Sequence, residues 1–377
     1  MIRTRSLTLA IAFAIGLAGC ATPLGSDGNW TQLASDHFRV LTDADAAAIA
    51  RELPRVETAL AGIAARVRPD RALPARIDVL WLRRADAIAA LGVGNARGYY
   101  LPHQGDEPSA PPLVVVGGAP GRAVEKALMH ELAHVVFVDA APGAPAWLAE
   151  GMAAWWDTLD VDRATVGFDE QAEGQWMIHM SMTPSGHFDS VGELLHASYH
   201  FFHEFALSEV FYAKARALVE MLGSEPDLAP RFDAYLARLR SDADAERAWN
   251  DSFAGIGMGE LEARFATFYT TRRQPLPLSP WRGRVASARE PRPAVERWLG
   301  RARPWDSPAA LAEAGRAFAR AAGDDSAERH YWSGVYAAAQ SRWRDAETEL
   351  RAALARDPKS PAASALARVE ARLRANR

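Results

Sequence analysis

Short apolar runs in the first third of the chain are spaced as strands separated by polar, proline or glycine residues. "HFRVL" (37–41), "RIDVLWL" (76–82) and "PPLVVVGG" (111–118) are of strand length and rich in β-branched and aromatic residues. The alanine-rich stretch 44–67 has a helical composition that Pro54 is expected to interrupt. The pattern predicts a sheet early in the chain.

The second part of the chain has a different pattern, in which apolar residues recur at helical spacing. Helices are predicted near 145–157, 190–223 with a break allowed, 228–240 and 259–271. A small sheet followed by a mainly helical half places the protein in the α+β class.

A proline- and arginine-rich stretch, 272–300, lacks apolar periodicity and predicts a linker. The segment beyond it, 301–377, is predicted to be helical. Part of it, 327–360, resembles the tetratricopeptide repeat at its small contact residues, large apolar residue and final proline, which are Gly334, Ala346, Leu350, Ala353 and Pro358. The first-helix aromatic positions do not match in register and fewer than three repeats are visible, so a plain helical hairpin packed on the main domain is the alternative.

The N-terminus has the features of an export signal. Two arginines precede an apolar run that is too short to cross a bilayer with margin, and the run ends in "LAGC" (17–20). This ending resembles the lipobox of bacterial lipoproteins, which implies removal of residues 1–19 and a lipid on Cys20. The composition of the residues that follow predicts a flexible tether over 20–29. The alternatives are a plain secretory signal cut nearby and an uncleaved anchor.

The lipobox resemblance also implies a location, and the composition limits the partners. Ala21 is not the aspartate that retains lipoproteins at the inner membrane, so we expect a bacterial envelope protein at the outer membrane, facing the periplasm. With 43 basic and 47 acidic residues, the net charge of −4 provides no field for nucleic acid or an anionic membrane surface. Membrane attachment is therefore expected through the lipid alone.

Candidate chemistry lies in "ALMHELAHVVF" (127–137). On a helix, His130 and His134 lie about 40° apart, while the apolar residues Val124, Leu128, Leu132 and Val135 cluster on another face. Two imidazoles at this spacing can reach one zinc ion, and Glu131 can accept a proton from a water on that ion. A third ligand is required.

The third ligand is expected on the next helix, "AWLAEGMAAWW" (146–156). Glu150 follows His134 by sixteen residues, and the intervening turn "VDAAPGAP" is short enough to make the two helices neighbours. A carboxylate there completes a site of two histidines and one glutamate with an open position for water.

Together, "HELAHVVF…PAWLAEGMAAWW" resembles the gluzincin clan of zinc metallopeptidases, over roughly residues 75–270. The resemblance implies a zincin-like domain over 30–271, one Zn²⁺ ion held by His130, His134 and Glu150, and Glu131 as general base. It also implies an edge strand that pairs with an extended polypeptide substrate, for which "LVVVG" is the candidate, with Val114, Val115 and Val116 as substrate-binding residues.

The same resemblance suggests an oxyanion donor, and it leaves the carboxylate that supports a ligand histidine unassigned. Tyr212 resembles the tyrosine of a later helix that serves this role in the clan, although it could simply pack against its helix. Ala154 occupies the position of the clan's usual second aspartate, so the carboxylate that supports a ligand histidine is expected to be Asp139 or Asp157. No G-x-M-E-N stretch precedes the motif, which disfavours an aminopeptidase.

Another histidine cluster competes for a metal role. His196, His200 and His203 fall at i, i+4 and i+7 of a predicted helix, with Glu204 beside the last, but no carboxylate from a second element accompanies them. A polar helix face is the expected reading. The Trp155–Trp156 pair is expected to fill core beneath the site.

Three functions are compatible with these features. The leading one is a zinc-dependent peptidase anchored by lipid to a bacterial envelope membrane. The second is a non-catalytic scaffold of the same fold whose C-terminal helices bind envelope proteins. The third is a zinc hydrolase of a non-peptide bond, because the same zinc–water chemistry permits it.

Overall fold

The computed structural model describes residues 29–67, 73, 76–93, 97–102, 110–141, 143–158, 165–166, 190–198, 205–241, 244–268 and 276–375. Cys20 and the predicted signal sequence lie outside these ranges, as does most of the predicted tether. The chain divides into two compact units. The sheet unit comprises residues 1–51, 75–124 and 283–377, and the helical unit comprises residues 52–74 and 125–282.

A six-stranded mixed sheet forms the centre of the sheet unit. Its strands are β1 (Thr31–Ala34), β2 (Phe38–Thr42), β3 (Ile77–Leu82), β4 (Gly98–Leu101), β5 (Leu113–Gly117) and β8 (Ala286–Arg289). The spatial order is β4-β5-β3-β2-β1-β8. The β2–β3 and β3–β5 pairs are parallel and the other pairs are antiparallel. The three strands predicted from apolar runs are all present.

The prediction that 113–117 is an edge strand is wrong. Strand β5 lies between β3 and β4, and Val114 is paired with Val79 on one side and with Tyr100 on the other. All five residues of β5 are buried. A continuous apolar run is typical of an interior strand that is covered on both faces. The backbone of Val114, Val115 and Val116 is therefore already paired and cannot accept an extended peptide.

Most of the helices belong to the helical unit. In chain order the first eight are α1 (Ala46–Val67), α2 (Arg122–Ala140), α3 (Ala146–Trp156), α4 (Val191–Leu195), α5 (Phe205–Ser224), α6 (Ala229–Ser241), α7 (Ala245–Ser252) and α8 (Met258–Phe268). The unit boundary falls inside α1 and near the start of α2. A two-stranded pair, β6 (Thr165–Val166) with β7 (Leu276–Pro277), completes this unit.

Helix α1 continues through its proline, so the predicted interruption is wrong. Pro54 lies inside the helix, and its carbonyl accepts a hydrogen bond of 2.8 Å from Thr58 Oγ1. Proline removes one backbone donor and displaces the carbonyl one turn before it, which the buried side of the helix can offset by packing. Ile49, Leu53, Val56 and Leu60 of α1 are all at most 1% exposed.

The part of the predicted linker that the structure describes, 276–300, contains regular structure. Strand β8 pairs with β1 along its whole length, and α9 (Arg292–Arg301) follows directly. Val295, Trp298 and Leu299 of α9 join the buried cluster that includes Leu80 and Val115 of the sheet. All four residues of β8 are exposed, so the strand has no apolar periodicity by which the sequence could have revealed it.

The remaining helices continue the sheet unit. They are α10 (Pro308–Arg320), α11 (Ala327–Ala339), α12 (Trp343–Arg356) and α13 (Ala362–Ala375). Helices α11 and α12 approach closely at Gly334, where a Cβ would lie 2.7 Å from Leu350 Cγ. Gly334 and Leu350 are two of the positions that the repeat pattern marks as contacts; assignment to that repeat stays a prediction.

A buried charge cluster connects these C-terminal helices to the sheet. Asp78 on β3 is fully buried and receives hydrogen bonds from Arg39 Nε at 2.9 Å and from Arg301 Nη1 at 2.5 Å. Arg39 also donates to Glu328 on α11 through Nη1 at 2.7 Å. Burial opposes ionisation of Asp78, but Arg301 and Arg39 outweigh it and lower the pKa of this carboxyl. The C-terminal helices are thus integral to the sheet unit.

Membrane-crossing helices are not found among the described residues: none combines the length and the apolar character that crossing requires.

Replacing Asp78 with asparagine should destabilise the sheet unit strongly. The substitution conserves shape but removes the negative charge that Arg39 and Arg301 share, leaving Glu328 as an acceptor of Arg39. Breaking a buried pair in this way costs about 3–5 kcal/mol. Urea unfolding followed by circular dichroism would measure the change. Asp345→Asn is the matched control, because Asp345 pairs with Arg342 at 3.1 Å on an exposed surface and should cost under about 1 kcal/mol. Equal effects of the two substitutions would contradict this account.

Candidate metal centre

Helix α2 carries the two candidate histidines and follows strand β5 after a glycine-rich turn. Gly118 has a φ of 134°, which favours glycine, and a Cβ there would also lie 2.7 Å from Val124 Cγ2. The chain therefore enters α2 directly after this turn. Every residue from 128 to 137 is buried. The expected separation between an apolar packing face and a ligand face is not observed, because α2 is covered on all sides at this level.

Helix α3 carries Glu150, the candidate carboxylate ligand. The Pro145 carbonyl accepts hydrogen bonds from the backbone N–H groups of Leu148 and Ala149, both at 3.1 Å, which starts the helix after the short turn. All eleven residues of α3 are buried, and Glu150 has an exposed fraction of 0%. The position of Glu150 beside α2 follows from the short connection that the sequence predicted.

The three candidate ligands converge. Glu150 Oε2 lies 3.4 Å from His130 Nε2 and 3.6 Å from His134 Nε2. The two imidazole centroids are 4.9 Å apart, and one donor atom from each of the three residues can be chosen so that all lie within 4.8 Å of one another. His130 is 3% exposed and His134 is 1% exposed. The described residues therefore contain a buried cluster that could hold a metal ion.

The spacing fits a tetrahedral ion better than a hydrogen-bonded triad. Ligands about 2.0–2.1 Å from a tetrahedral centre are about 3.4 Å from one another, which agrees with the two measured separations. An N–H···O hydrogen bond would be about 2.9 Å long. Within the described part of the chain, His134 Nε2 and both carboxylate oxygens of Glu150 are buried and form no hydrogen bond. Buried polar atoms without hydrogen bonds destabilise the folded state unless another group, such as an ion, interacts with them.

The electrostatics of the cluster favour a positive charge at its centre. Burial would raise the pKa of Glu150, but His134 and His130 outweigh burial and lower the pKa to about 2. Burial would lower the pKa of His130, but Asp157 and Glu150 raise it well above the ordinary histidine value. In the metal-free chain a proton on His130 thus supplies the positive charge that the carboxylates require.

Glu131 is a buried carboxyl beside the first histidine. It is 1% exposed, and burial raises its pKa to about 8, with His130 opposing that shift. Glu131 Oε2 forms no hydrogen bond to any described residue. A divalent cation in the cluster would lower this pKa, because it stabilises the carboxylate form. Burial therefore makes Glu131 a stronger proton acceptor than an exposed glutamate, which suits a general base.

Tyr212 on α5 is the fifth predicted residue that the structure brings to the cluster. Its ring lies 5.9 Å from the His130 ring in an edge-on arrangement, and the residue is 8% exposed. This position is compatible with both roles considered for Tyr212, because the ring packs in the core and also lies beside a candidate ligand.

A close helix crossing places α5 against α3. A Cβ on Gly151 would lie 2.5 Å from the Ala215 carbonyl oxygen and 2.8 Å from Val219 Cγ2. Only a residue without a side chain allows the backbone of α5 to come this near. Sequence reasoning did not identify this role of Gly151; the only signal was a glycine inside a helical pattern, directly after a candidate ligand.

Asp157, one of the two aspartates expected to support a ligand histidine, lies beside His130. Its Oδ2 lies 3.4 Å from His130 Nδ1, on the side of the ring away from Glu150. Nothing is described for the side chain of Asp139. Trp155 and Trp156 are 4% and 1% exposed, so the prediction that they fill core is confirmed.

Of the other sequence candidates, those that the structure describes are not part of this cluster. Helix α4 ends at Leu195, so His196 lies at its end rather than within it; His196 is exposed, with Nδ1 2.7 Å from the Gly192 carbonyl oxygen. His200, His203 and Glu204 lie outside the described residues. Val114, Val115 and Val116 belong to the sheet unit, whereas all the cluster residues belong to the helical unit.

Comparison with known proteins adds no assignment: no protein-family model, curated protein or solved structure matches the chain.

Gly151→Ala should disturb the cluster without touching a candidate ligand. The new methyl group would meet the Ala215 backbone, so α5 must shift and carry Tyr212 away from His130; overpacking of this kind costs about 1–3 kcal/mol. Thermal unfolding and metal affinity would both report the change. Gly259→Ala is the control, because Gly259 lies in α8 with nothing within 4 Å of its Cβ position. The control should be neutral or slightly stabilising. Identical behaviour of the two variants would contradict the role given to Gly151.

Proposed function

We propose that this protein is a zinc-dependent peptidase, with His130, His134 and Glu150 as the zinc ligands and Glu131 as the general base. The observation that supports the proposal best is the convergence of two imidazoles and one carboxylate, buried and spaced as tetrahedral ligands are. Two nitrogens and one oxygen are a donor set that zinc accepts in hydrolases, with one position left for water.

A zinc ion held by these residues would lower the pKa of a coordinated water to about 7 and polarise a substrate carbonyl. Glu131 follows His130 directly and is buried with it, so its carboxylate can take the proton that such a water gives up. The same carboxyl can then deliver that proton to the leaving amine. Burial favours the protonated form of this carboxyl, from which the proton is delivered.

Tyr212 is the proposed donor to the oxygen that becomes negative during attack on the carbonyl. Its ring lies beside His130, and a phenol hydroxyl is a suitable donor for such an oxyanion.

Peptides are proposed as the substrate class on the resemblance of the two helices to the gluzincins. The loss of 113–117 as a substrate-binding edge removes one argument for a polypeptide substrate. A zinc hydrolase of another bond is therefore kept as an outcome of the experiment below, as is the scaffold without activity.

Lipid attachment at Cys20, location at the outer membrane and recruitment of protein partners by the C-terminal helices remain proposals from the sequence. The fold changes the proposal about protein partners. Because α9 to α13 are part of the sheet unit, a partner would bind a surface of that unit and not a detached tail.

Glu131→Gln should abolish hydrolysis while zinc stays bound. Glutamine conserves shape and removes the base, and the loss of a general base typically lowers the rate by about 10²–10⁴-fold. Zinc content by elemental analysis and hydrolysis of a denatured protein and of an activated ester would be measured on the wild type and the variant.

Glu150→Gln is the matched control for this experiment, since the same change at a ligand should remove zinc as well as activity. Wild-type protein that binds no zinc would overturn the proposal. Zinc binding without hydrolysis of either substrate favours the scaffold, and cleavage of the ester alone favours another bond.

The apparent zinc affinity should fall as the pH is lowered from about 8 to about 6. Zinc requires an unprotonated imidazole, and Asp157 and Glu150 raise the pKa of His130, so the ion competes with a proton that binds more tightly at lower pH. Glu150, with a pKa of about 2, stays ionised throughout and contributes no pH dependence. Competition with a calibrated chelator at each pH would test this. An affinity that does not change with pH would be inconsistent with the proton competition.

A further inference from the structure

We infer that Asp157 is a positioning residue for the metal centre, which holds His130 in the orientation and tautomer that direct Nε2 to the ion. This inference rests on the proposed function, because it concerns the same ligand set. The sequence left two candidates, Asp139 and Asp157, for the carboxylate that supports a ligand histidine.

The two nitrogens of His130 face two different carboxylates. Nε2 lies 3.4 Å from Glu150 Oε2, an oxygen that takes part in no hydrogen bond among the described residues, whereas Nδ1 forms a long hydrogen bond of 3.4 Å with Asp157 Oδ2. A neutral imidazole has one N–H donor and one lone pair. When Asp157 accepts the N–H of Nδ1, the lone pair must be on Nε2, which is the nitrogen that faces Glu150 and His134. Carboxylates that act on the outer nitrogen of a ligand histidine in this way fix the ring and increase its basicity.

Helix α3 supplies both carboxylates. Asp157 is the C-cap residue of α3, and its backbone N–H donates to the Ala153 carbonyl at 3.1 Å. It follows Glu150 by seven residues, which is close to two helical turns, so the two side chains leave α3 on the same side about 10 Å apart. His130 therefore lies between a ligand carboxylate and a supporting carboxylate that belong to one rigid element.

The position is unfavourable for an aspartate unless it has a partner. A negative charge at the C-terminal end of a helix opposes the helix dipole, at a cost of about 0.3–1 kcal/mol. The Asp157 side chain is only 25% exposed, and its Oδ1 is buried without a hydrogen bond to the described residues. The contact with His130 gives this charge a role that offsets the cost.

The backbone of α2 places the other aspartate at a distance from His130 along the helix axis. Asp139 is nine residues beyond His130 on the same helix, about 13.5 Å along the axis. Its Cα is five residues beyond that of His134 and is rotated by about 140° from it about the helix axis. Ala154, one turn after Glu150, has no polar group to offer.

The test compares zinc affinity in Asp157→Asn, Asp157→Glu and wild-type protein by chelator competition. Asparagine conserves size but removes the negative charge, and loss of such a supporting carboxylate weakens metal binding by about 10–100-fold. Glutamate restores the charge and should recover part of the affinity. Asp357→Asn is the matched control, because Asp357 is also the C-cap of a helix, α12, and is exposed. The control should bind zinc as the wild type does.

A second measurement reports on the tautomer and needs no variant. In zinc-loaded wild-type protein, nitrogen NMR of the histidine rings should show the His130 proton on Nδ1 and the metal on Nε2. Circular dichroism of each variant would confirm that it is folded. A proton on Nε2 of wild-type His130, or undiminished zinc affinity in Asp157→Asn, would overturn the inference. Wild-type protein that binds no zinc would instead overturn the proposed function, so the two failures are distinguishable.

Discussion

The chemistry of the helical unit depends on one electrostatic constraint, which is that the Glu150 carboxylate is fully buried between two imidazoles. A carboxylate in a dry interior is several kcal/mol too unfavourable to persist without a positive partner. The imidazoles can supply that partner in two ways, by taking up a proton or by holding a cation. The raised pKa of His130 and the lowered pKa of Glu150 are the signs of the first way in the metal-free chain.

The sheet unit neutralises a buried carboxylate in a different way. Asp78 is also fully buried, but its partners are Arg39 and Arg301. A guanidinium keeps its proton under all ordinary conditions, so this charge pair is permanent and can only join elements of the fold. An imidazole can lose its proton and then bind a metal. The difference between the two partners is what makes one cluster structural and the other a candidate catalytic centre.

Packing and chemistry are combined in one short helix of the helical unit. Helix α3 contributes the candidate ligand Glu150, the close crossing at Gly151 and, at its C-cap, Asp157. Because all of its residues are buried, the helix has little freedom to move relative to α2 and α5. Such rigidity is what a metal site requires, since ligands held in place by their surroundings lose little entropy when the ion binds. It also means that substitutions meant to test chemistry here must be separated from those that disturb packing.

The sequence alone determined what depends on local spacing. Two histidines one helical turn apart, and a glutamate beyond a short turn, must lie near one another whatever surrounds them, so His130, His134 and Glu150 could be predicted, and apolar runs of strand length gave three strands of the sheet. The tertiary structure decided what depends on distant parts of the chain. Strand β5 became interior because β4 pairs with it, and β8 joined the sheet by backbone hydrogen bonds, which carry no side-chain pattern. The contact of His130 with Tyr212 depends on how α3 and α5 cross at Gly151. Hydrogen-bonded partners and helix crossings are fixed by the shape of the folded chain, and a one-dimensional pattern does not record them.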